Sequence, residues 1–205
     1  MLHYEVVKPT TLALIKGIQA IPLPDNFRLV GGTALALQIG HRLSYDIDFF
    51  SDKPFLSEEI VELIGDKYDL QVVRQTKGSA VLNIEEIKID CVSIQGNWLK
   101  PAIVSDGIIL AGLEDIATMK LLAITNRGRK RDFFDLYFLL EKFPLQELLE
   151  LFQQKFKQRE IFMLTQSLVY FADADKDAEP VLLKEKIYWK GVKEKIREEV
   201  KRFHG

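Results

Sequence analysis

The sequence predicts an α+β chain, with a sheet-bearing first half and a helical second half. Three observations predict it. Strand-like stretches recur up to about residue 112, apolar residues fall at helical spacing from Leu113 onward, and no flexible linker parts the two halves. Two domains are therefore expected, 1–112 and 113–205, the second packed against the first.

Thr10 to Ala20 carries Leu12, Leu14, Ile15 and Ile18 at helical spacing and reads as an amphipathic helix capped by Thr10 or Thr11. Ile21-Pro22-Leu23-Pro24-Asp25-Asn26 is a turn into a short apolar strand, Phe27 to Val30, which ends in the pair Gly31-Gly32. Ala34 to Ile39 reads as a short helix stopped by Gly40, and Tyr45 to Phe50 as a second strand. After Lys53-Pro54-Phe55, Ser57 caps a helix that runs to about Lys67 with acids in its first turn. Leu70 to Thr76, Ala80 to Ile84 and Ile87 to Ile94 are β-rich, joined by turns at Lys77-Gly78-Ser79 and Glu85-Glu86, and Ile103 to Ala111 is extended. Helices are expected at Leu113–Thr125, Lys130–Lys142 (broken by Pro144), Leu145–Phe156 and Arg159–Phe171. Val181–Arg202 reads as a charged closing segment, helical in two pieces.

Composition narrows the function classes. With 205 residues, 47% hydrophobic and 28% charged, the chain supports ordinary cores, and only Asp173 to Glu179 has a composition that suggests disorder. The longest apolar runs, such as Gly107 to Leu113, fall short of the ~20 residues of a membrane span, and Tyr4-Glu5-Val6-Val7-Lys8 lacks the layout of a signal peptide. A single cysteine, Cys91, forms no internal disulfide, so a cytoplasmic location is the expectation. The net charge of −2 gives no global attraction for nucleic acid.

The chemistry concentrates between Leu29 and Phe50. In a strand the side chains of Asp46 and Asp48 project together, with Ile47 and Phe49 facing the other way. Paired carboxylates repel unless a cation lies between them, and a hard divalent ion, Mg²⁺ or Mn²⁺, is the usual one. Gly31-Gly32 before a helix offers amide N–H groups and a positive dipole end to a phosphate. The Thr33 hydroxyl either caps that helix or reaches a phosphate oxygen. Asp90, on the strand Lys88-Ile89-Asp90-Cys91-Val92, is the candidate third acid. Lys120, an amine in an apolar stripe, wants an anionic partner. With the basic loop Arg127-Gly128-Arg129-Lys130-Arg131 it forms either a solvated surface or a site for a triphosphate or an RNA backbone. Asp132 and Asp135 share one helical face, as ordinary N-terminal acids do. His41 has no constellation around it, and Cys91 reads as a core residue.

Gly31-Gly32-Thr33 followed by Arg42-Leu43-Ser44-Tyr45-Asp46-Ile47-Asp48-Phe49-Phe50 resembles the AbiEii-type toxins, a branch of the minimal nucleotidyltransferase superfamily related in fold to DNA polymerase β. The resemblance continues through Met119-Lys120-Leu121 and Arg131-Asp132-Phe133-Phe134-Asp135-Leu136-Tyr137, and more loosely to Tyr170–Ala174 and Trp189. Threonine stands where the superfamily often has serine after the glycines, which keeps the hydroxyl. The resemblance implies a nucleotidyltransferase-like mixed sheet with helices, followed by a helical C-terminal domain forming the other wall of a cleft. It implies transfer of a nucleoside monophosphate from an NTP to an acceptor, an RNA such as the 3′ end of tRNA, and an antitoxin partner. Carried over, Gly32 and Thr33 hold the triphosphate, Asp46 and Asp48 the metals, and Lys120 the phosphate charge. Asp132 becomes a supporting or catalytic acid and Asp135 a structural one. The alternatives are an Mg²⁺-dependent phosphohydrolase, which also uses paired aspartates, or a non-catalytic nucleotide-binding module of the same fold.

Overall fold

The computed structural model describes residues 1–23, 27–94, 96–157, 160–184 and 186–205. They divide into two compact units, Met1–Gly112 and Leu113–Gly205.

In the first unit, α1 (Pro9–Gln19) begins with proline at its first position, where a missing N–H leaves no bond unmade, and buries Leu14, Ile15 and Ile18. The N-cap position falls on Lys8, not on Thr10 or Thr11, and Thr11 is buried. Of the turn expected at 21–26, residues 24–26 lie outside the described residues. β1 (Arg28–Val30) runs straight into α2 (Gly31–Ile39), which starts three residues earlier than expected. Gly31, at φ +68°, allows this by reversing the chain from extended to helical without a loop. Gly40 ends the helix in a left-handed cap.

The unit continues with β2 (Ile47–Ser51), α3 (Ser57–Gly65), β3 (Gln71–Thr76), β4 (Ser79–Ile84), β5 (Ile87–Ser93), β6 (Ile103–Ser105) and β7 (Ile108–Leu110). The N-cap of α3 is Leu56, while Ser57 is buried inside the first turn and its Oγ accepts a hydrogen bond from Gln75. Glu85 and Glu86 make the two-residue turn between β4 and β5 at positive φ, the backbone that such tight hairpins demand. The extended stretch 103–111 is itself a hairpin, turning at Asp106-Gly107.

Among the described residues the strands form one sheet in the order β3-β4-β5-β2-β1-β7-β6. β2 runs parallel to β5 and β1 parallel to β7, the other pairs being antiparallel. The sheet is therefore mixed, in keeping with the α+β class. Register divides its faces. Leu29, Ile47, Phe49, Ala80, Leu82, Ile89 and Cys91 are fully buried on the face covered by α1, α2 and α3. Arg28, Asp48, Phe50, Lys88, Asp90 and Val92 alternate onto the opposite face.

The second unit comprises α4 (Leu113–Arg127), α5 (Lys130–Leu139), α6 (Leu145–Lys155), α7 (Ile161–Leu168) and α8 (Trp189–His204). Pro144 is the N-cap of α6. Arg159, where α7 was expected to begin, lies outside the described residues. The closing segment holds a single helix. Its apolar stripe of Trp189, Val192, Ile196 and Val200 starts only at Trp189, and residues 181–184 and 186–188 are not helical. Phe133 lies 5.0 Å from Phe171 and 5.7 Å from Trp189, and Phe134 stacks on Trp189. The stretch suspected of disorder is instead tied down. Asp175 accepts hydrogen bonds from Trp189 Nε1 (2.6 Å) and Lys193 Nζ (2.9 Å), which hold its carboxyl below the usual range, and Asp177 accepts one from the Lys130 N–H. Among the described residues no helix is long and apolar enough to cross a membrane.

Candidate functional site

Asp48 and Asp90 share the sheet face opposite the helices. Asp48, on β2, is the Cα partner of Val30 on β1 and of Asp90 on β5. In neighbouring parallel strands this places the two carboxylates side by side. Asp46 comes one residue before β2 begins, outside the strand, and its carbonyl is held by the Thr33 hydroxyl.

Gly31 closes one edge of this cluster. A Cβ built on it would stand 2.0 Å from Asp48 Oδ2 and 2.7 Å from its Cγ, so the carboxylate rests directly on the glycine Cα. Any side chain at Gly31 competes with Asp48 for that space and must also adopt a left-handed backbone. Gly32 is closed from another side, because a Cβ there would meet Arg42 Nη2 at 2.4 Å. Arg42 is buried, and its Nη1 donates to the Leu43 carbonyl at 2.9 Å. The glycine pair thus has a carboxylate against one residue and a buried guanidinium against the next. No side chain caps the N-terminus of α2, which leaves its first N–H groups without a side-chain acceptor of that kind.

Thr33 does not sit at the N-cap, which is Val30. It is fully buried, and its hydroxyl donates to the Asp46 carbonyl and lies 2.9 Å from Ser44 Oγ. The hydroxyl holds α2 to the turn that presents Asp46. Ser44, itself buried, is fixed in turn by its N–H to the Val6 carbonyl. Arg42 and Ser44 belong to the motif that runs from the glycines to Phe50, and local sequence rules assign them no task. Their spacing of two, running on to Asp46 and Asp48, was the available signal.

The donor chemistry suits a hard divalent cation. All three candidates are carboxylates, and Asp90 Oδ1 is buried with no hydrogen-bond partner among the described residues. Burial, with the Asp90 and Asp48 charges behind it, pushes the Cys91 thiol up to about 12, and Cys91 lies with Phe49 on the buried face of the sheet, as a core residue does. As the side chains stand, no three of the described acids, histidines and cysteines are grouped closely enough to hold a metal ion. Asp90 Oδ2 is engaged by Lys88 Nζ.

Lys120, Asp132 and Asp135 belong to the second unit. The ammonium of Lys120, on α4, lies 2.8 Å from Asp132 Oδ1 and 2.7 Å from Asp135 Oδ2, with both aspartates fully buried. The anionic partners expected for this lysine are thus the two acids of α5, set three residues apart on one helical face. The second oxygen of Asp132 lies 3.7 Å from Arg127 Nε. The basic loop divides. Arg127, Arg129 and Arg131 are exposed, whereas Lys130 is buried and donates through Nζ to the carbonyls of Asp175 and Asp177. A second buried pair, Lys155 Nζ to Asp115 Oδ1 at 2.6 Å, escaped sequence reading. Its signal was a lysine continuing the apolar stripe Leu145, Leu148, Leu149 and Phe152 of α6.

A sequence model of the family described as nucleotidyl transferase AbiEii toxin, type IV TA system, matches residues 13–203. The chain belongs to the AbiEii toxin family. An uncharacterized protein of Aquifex aeolicus (strain VF5) is 35% identical over 199 residues, 92% of this chain and 93% of that one. Two solved structures carry the comparison to the fold. JHP933 of Helicobacter pylori has a TM-score of 0.58 at 20% identity, covering 95% of this chain and 88% of that chain. MenT4, a nucleotidyltransferase toxin of Mycobacterium tuberculosis H37Rv, has a TM-score of 0.51 at 12% identity, covering 92% and 83%. At these identities the two structures speak for the fold alone, and the fold class is nucleotidyltransferase-like. Family and fold together give the AbiEii chain a nucleotidyltransferase's role.

Proposed function

We propose that this chain is a metal-dependent nucleotidyltransferase that moves a nucleoside monophosphate from an NTP to an RNA acceptor, such as the 3′ end of tRNA. In this reading it is the toxin of a toxin–antitoxin or abortive-infection system, acts in the cytoplasm and is restrained by an antitoxin protein. The observation that carries the reading is the carboxylate of Asp48 resting on Gly31 at the start of α2, in register with Asp90.

Asp46, Asp48 and Asp90 are the proposed ligands for Mg²⁺ or Mn²⁺, in a two-metal mechanism. When bound, such ions lower the pKa of an attacking hydroxyl and neutralise a departing pyrophosphate. Gly31 and Gly32 supply N–H donors for the triphosphate, and their lack of side chains lets the phosphates approach the backbone. The buried Arg42 guanidinium behind Gly32 adds positive charge there. Thr33, assigned to nucleotide binding by resemblance, serves that end from beneath by fixing the Asp46 turn. The acceptor hydroxyl oxygen bonds to the α-phosphorus, the bond to pyrophosphate breaks, and the hydroxyl proton is lost to solvent or a carboxylate. On the family resemblance Lys120 meets the phosphate charge and Asp132 is a supporting or catalytic acid, the lysine being paired with Asp132 and with the structural Asp135.

The test is transfer of α-labelled NTP to RNA in the presence of Mg²⁺. Label enters RNA with release of pyrophosphate, and Asp48→Asn abolishes this while its circular dichroism stays that of the wild type. Orthophosphate release without labelled RNA, or full activity of Asp48→Asn, would overturn the proposal.

A further inference from the structure

Lys88, paired with Asp90 at the acid cluster, has no task in the proposed reaction. It precedes Asp90 by two residues on β5, so both side chains stand on the same sheet face. Ile47 pairs with Ile89, and the residues immediately before that pair are Asp46 and Lys88. Lys88 therefore stands just beyond the end of the β2–β5 pairing, two residues from Asp90, which stands level with Asp48. On its other side its register partner is Asn83 of β4. The Lys88 ammonium is paired with Asp90 Oδ2, the lysine side chain 50% exposed and the aspartate 21%. Two oxygens beside this pair, Asp90 Oδ1 and Asn83 Oδ1, are buried and lack hydrogen-bond partners among the described residues.

We infer that Lys88 is a resident counter-ion of the acid cluster, neutralising Asp90 until a divalent cation takes that carboxylate. The inference rests on the metal reading of Asp46, Asp48 and Asp90. Carboxylates side by side on one face raise one another's energy, and a cation on a flexible stem paired with one of them reduces that cost. An ammonium engages Asp90 as a single compact charge, whereas a divalent ion binds several carboxylates at once and displaces it. The displaced ammonium finds an acceptor in the side-chain Oδ1 of Asn83, its register partner on the adjacent β4, which has no hydrogen-bond partner among the described residues. Lys88 thereby sets the affinity of the site for metal and keeps Asp90 turned aside in its absence.

A partly exposed Lys–Asp pair is worth up to about fivefold in an equilibrium, and the residual repulsion between Lys88 and a bound cation adds to it. Lys88→Met is therefore expected to bind Mn²⁺ about three- to tenfold more tightly than the wild type. The experiment titrates the full chain with Mn²⁺ and no nucleotide, following free Mn²⁺ by electron paramagnetic resonance and heat by calorimetry. Lys88→Arg is expected to keep the wild-type affinity, and Asp48→Asn to lose binding. Wild-type or weaker affinity in Lys88→Met, with binding still abolished by Asp48→Asn, overturns the inference and leaves the metal site standing. No Mn²⁺ binding by any of the proteins overturns both.

Discussion

Gly31→Ala puts a methyl group into space that Asp48 already fills. The left-handed backbone at φ +68° costs a non-glycine residue about 1–2 kcal/mol on its own. The new Cβ would then lie 2.0 Å from Asp48 Oδ2, 2.7 Å from its Cγ and 3.1 Å from its Cβ. Rotating the carboxylate relieves the first two contacts, and only a shift of β2 against α2 relieves the third. The expected loss of stability is about 1–3 kcal/mol, read as a lower urea midpoint with an unchanged slope. The larger effect falls on chemistry. An acid displaced by about 1 Å from a reacting arrangement costs on the order of a hundredfold in rate, so labelled-nucleotide transfer drops by about that factor and Mn²⁺ binding weakens with it. Gly32→Ala is the comparison for Mn²⁺ binding alone, because its Cβ meets the far end of Arg42 and leaves the Asp48 carboxylate in place, whereas transfer is expected to fall in both variants. A Gly31→Ala protein with wild-type Mn²⁺ affinity and transfer within about twofold of wild type would refute the placement of Asp48 in the site.

Other consequences follow from the buried charges. Lys155→Met strands the Asp115 carboxylate in a fully buried position and is expected to cost about 3–5 kcal/mol in urea unfolding, most of it recovered in the Lys155→Met/Asp115→Leu double variant. Lys120→Met leaves Asp132 and Asp135 facing each other without their shared cation, and a loss of similar size is expected. An unchanged urea midpoint would show that the cluster does not stabilise the unit. The Cys91 thiol, raised from 9.0 to about 12, stays protonated at pH 8 and is expected to resist a disulfide reagent until the protein unfolds. Because its folded pKa is the higher one, its contribution to stability is full below about 9 and is lost as the pH climbs towards about 12, which alkaline denaturation measures.

The acid motif and the glycines were legible because both obey local rules. Period-two alternation places Asp48 opposite Ile47 and Phe49, and a glycine pair between strand and helix announces a backbone that other residues avoid. Register was not legible. That Asp48 pairs with Asp90 depends on β2 and β5 lying side by side in parallel, with three elements intervening in the chain. Caps were misplaced by one to three residues at Lys8 and Leu56, where no side chain makes the capping bond and burial decides the boundary. The Asp173–Glu179 stretch looked unstructured by composition, since its partners Trp189, Lys193 and Lys130 are remote in sequence. The inward turn of the Thr33 hydroxyl was equally hidden, for it follows from Ser44 and the Asp46 carbonyl closing beneath α2.

Anomalous diffraction from crystals of the full chain grown with Mn²⁺ and a non-hydrolysable NTP analogue bears most directly on the acid cluster. The account predicts a peak bounded by Asp46, Asp48 and Asp90, with metal–oxygen distances of about 2.0–2.3 Å, and analogue phosphates against the Gly31 and Gly32 amides. Manganese and phosphates bound elsewhere, with the three carboxylates left as they are in the metal-free chain, would contradict it.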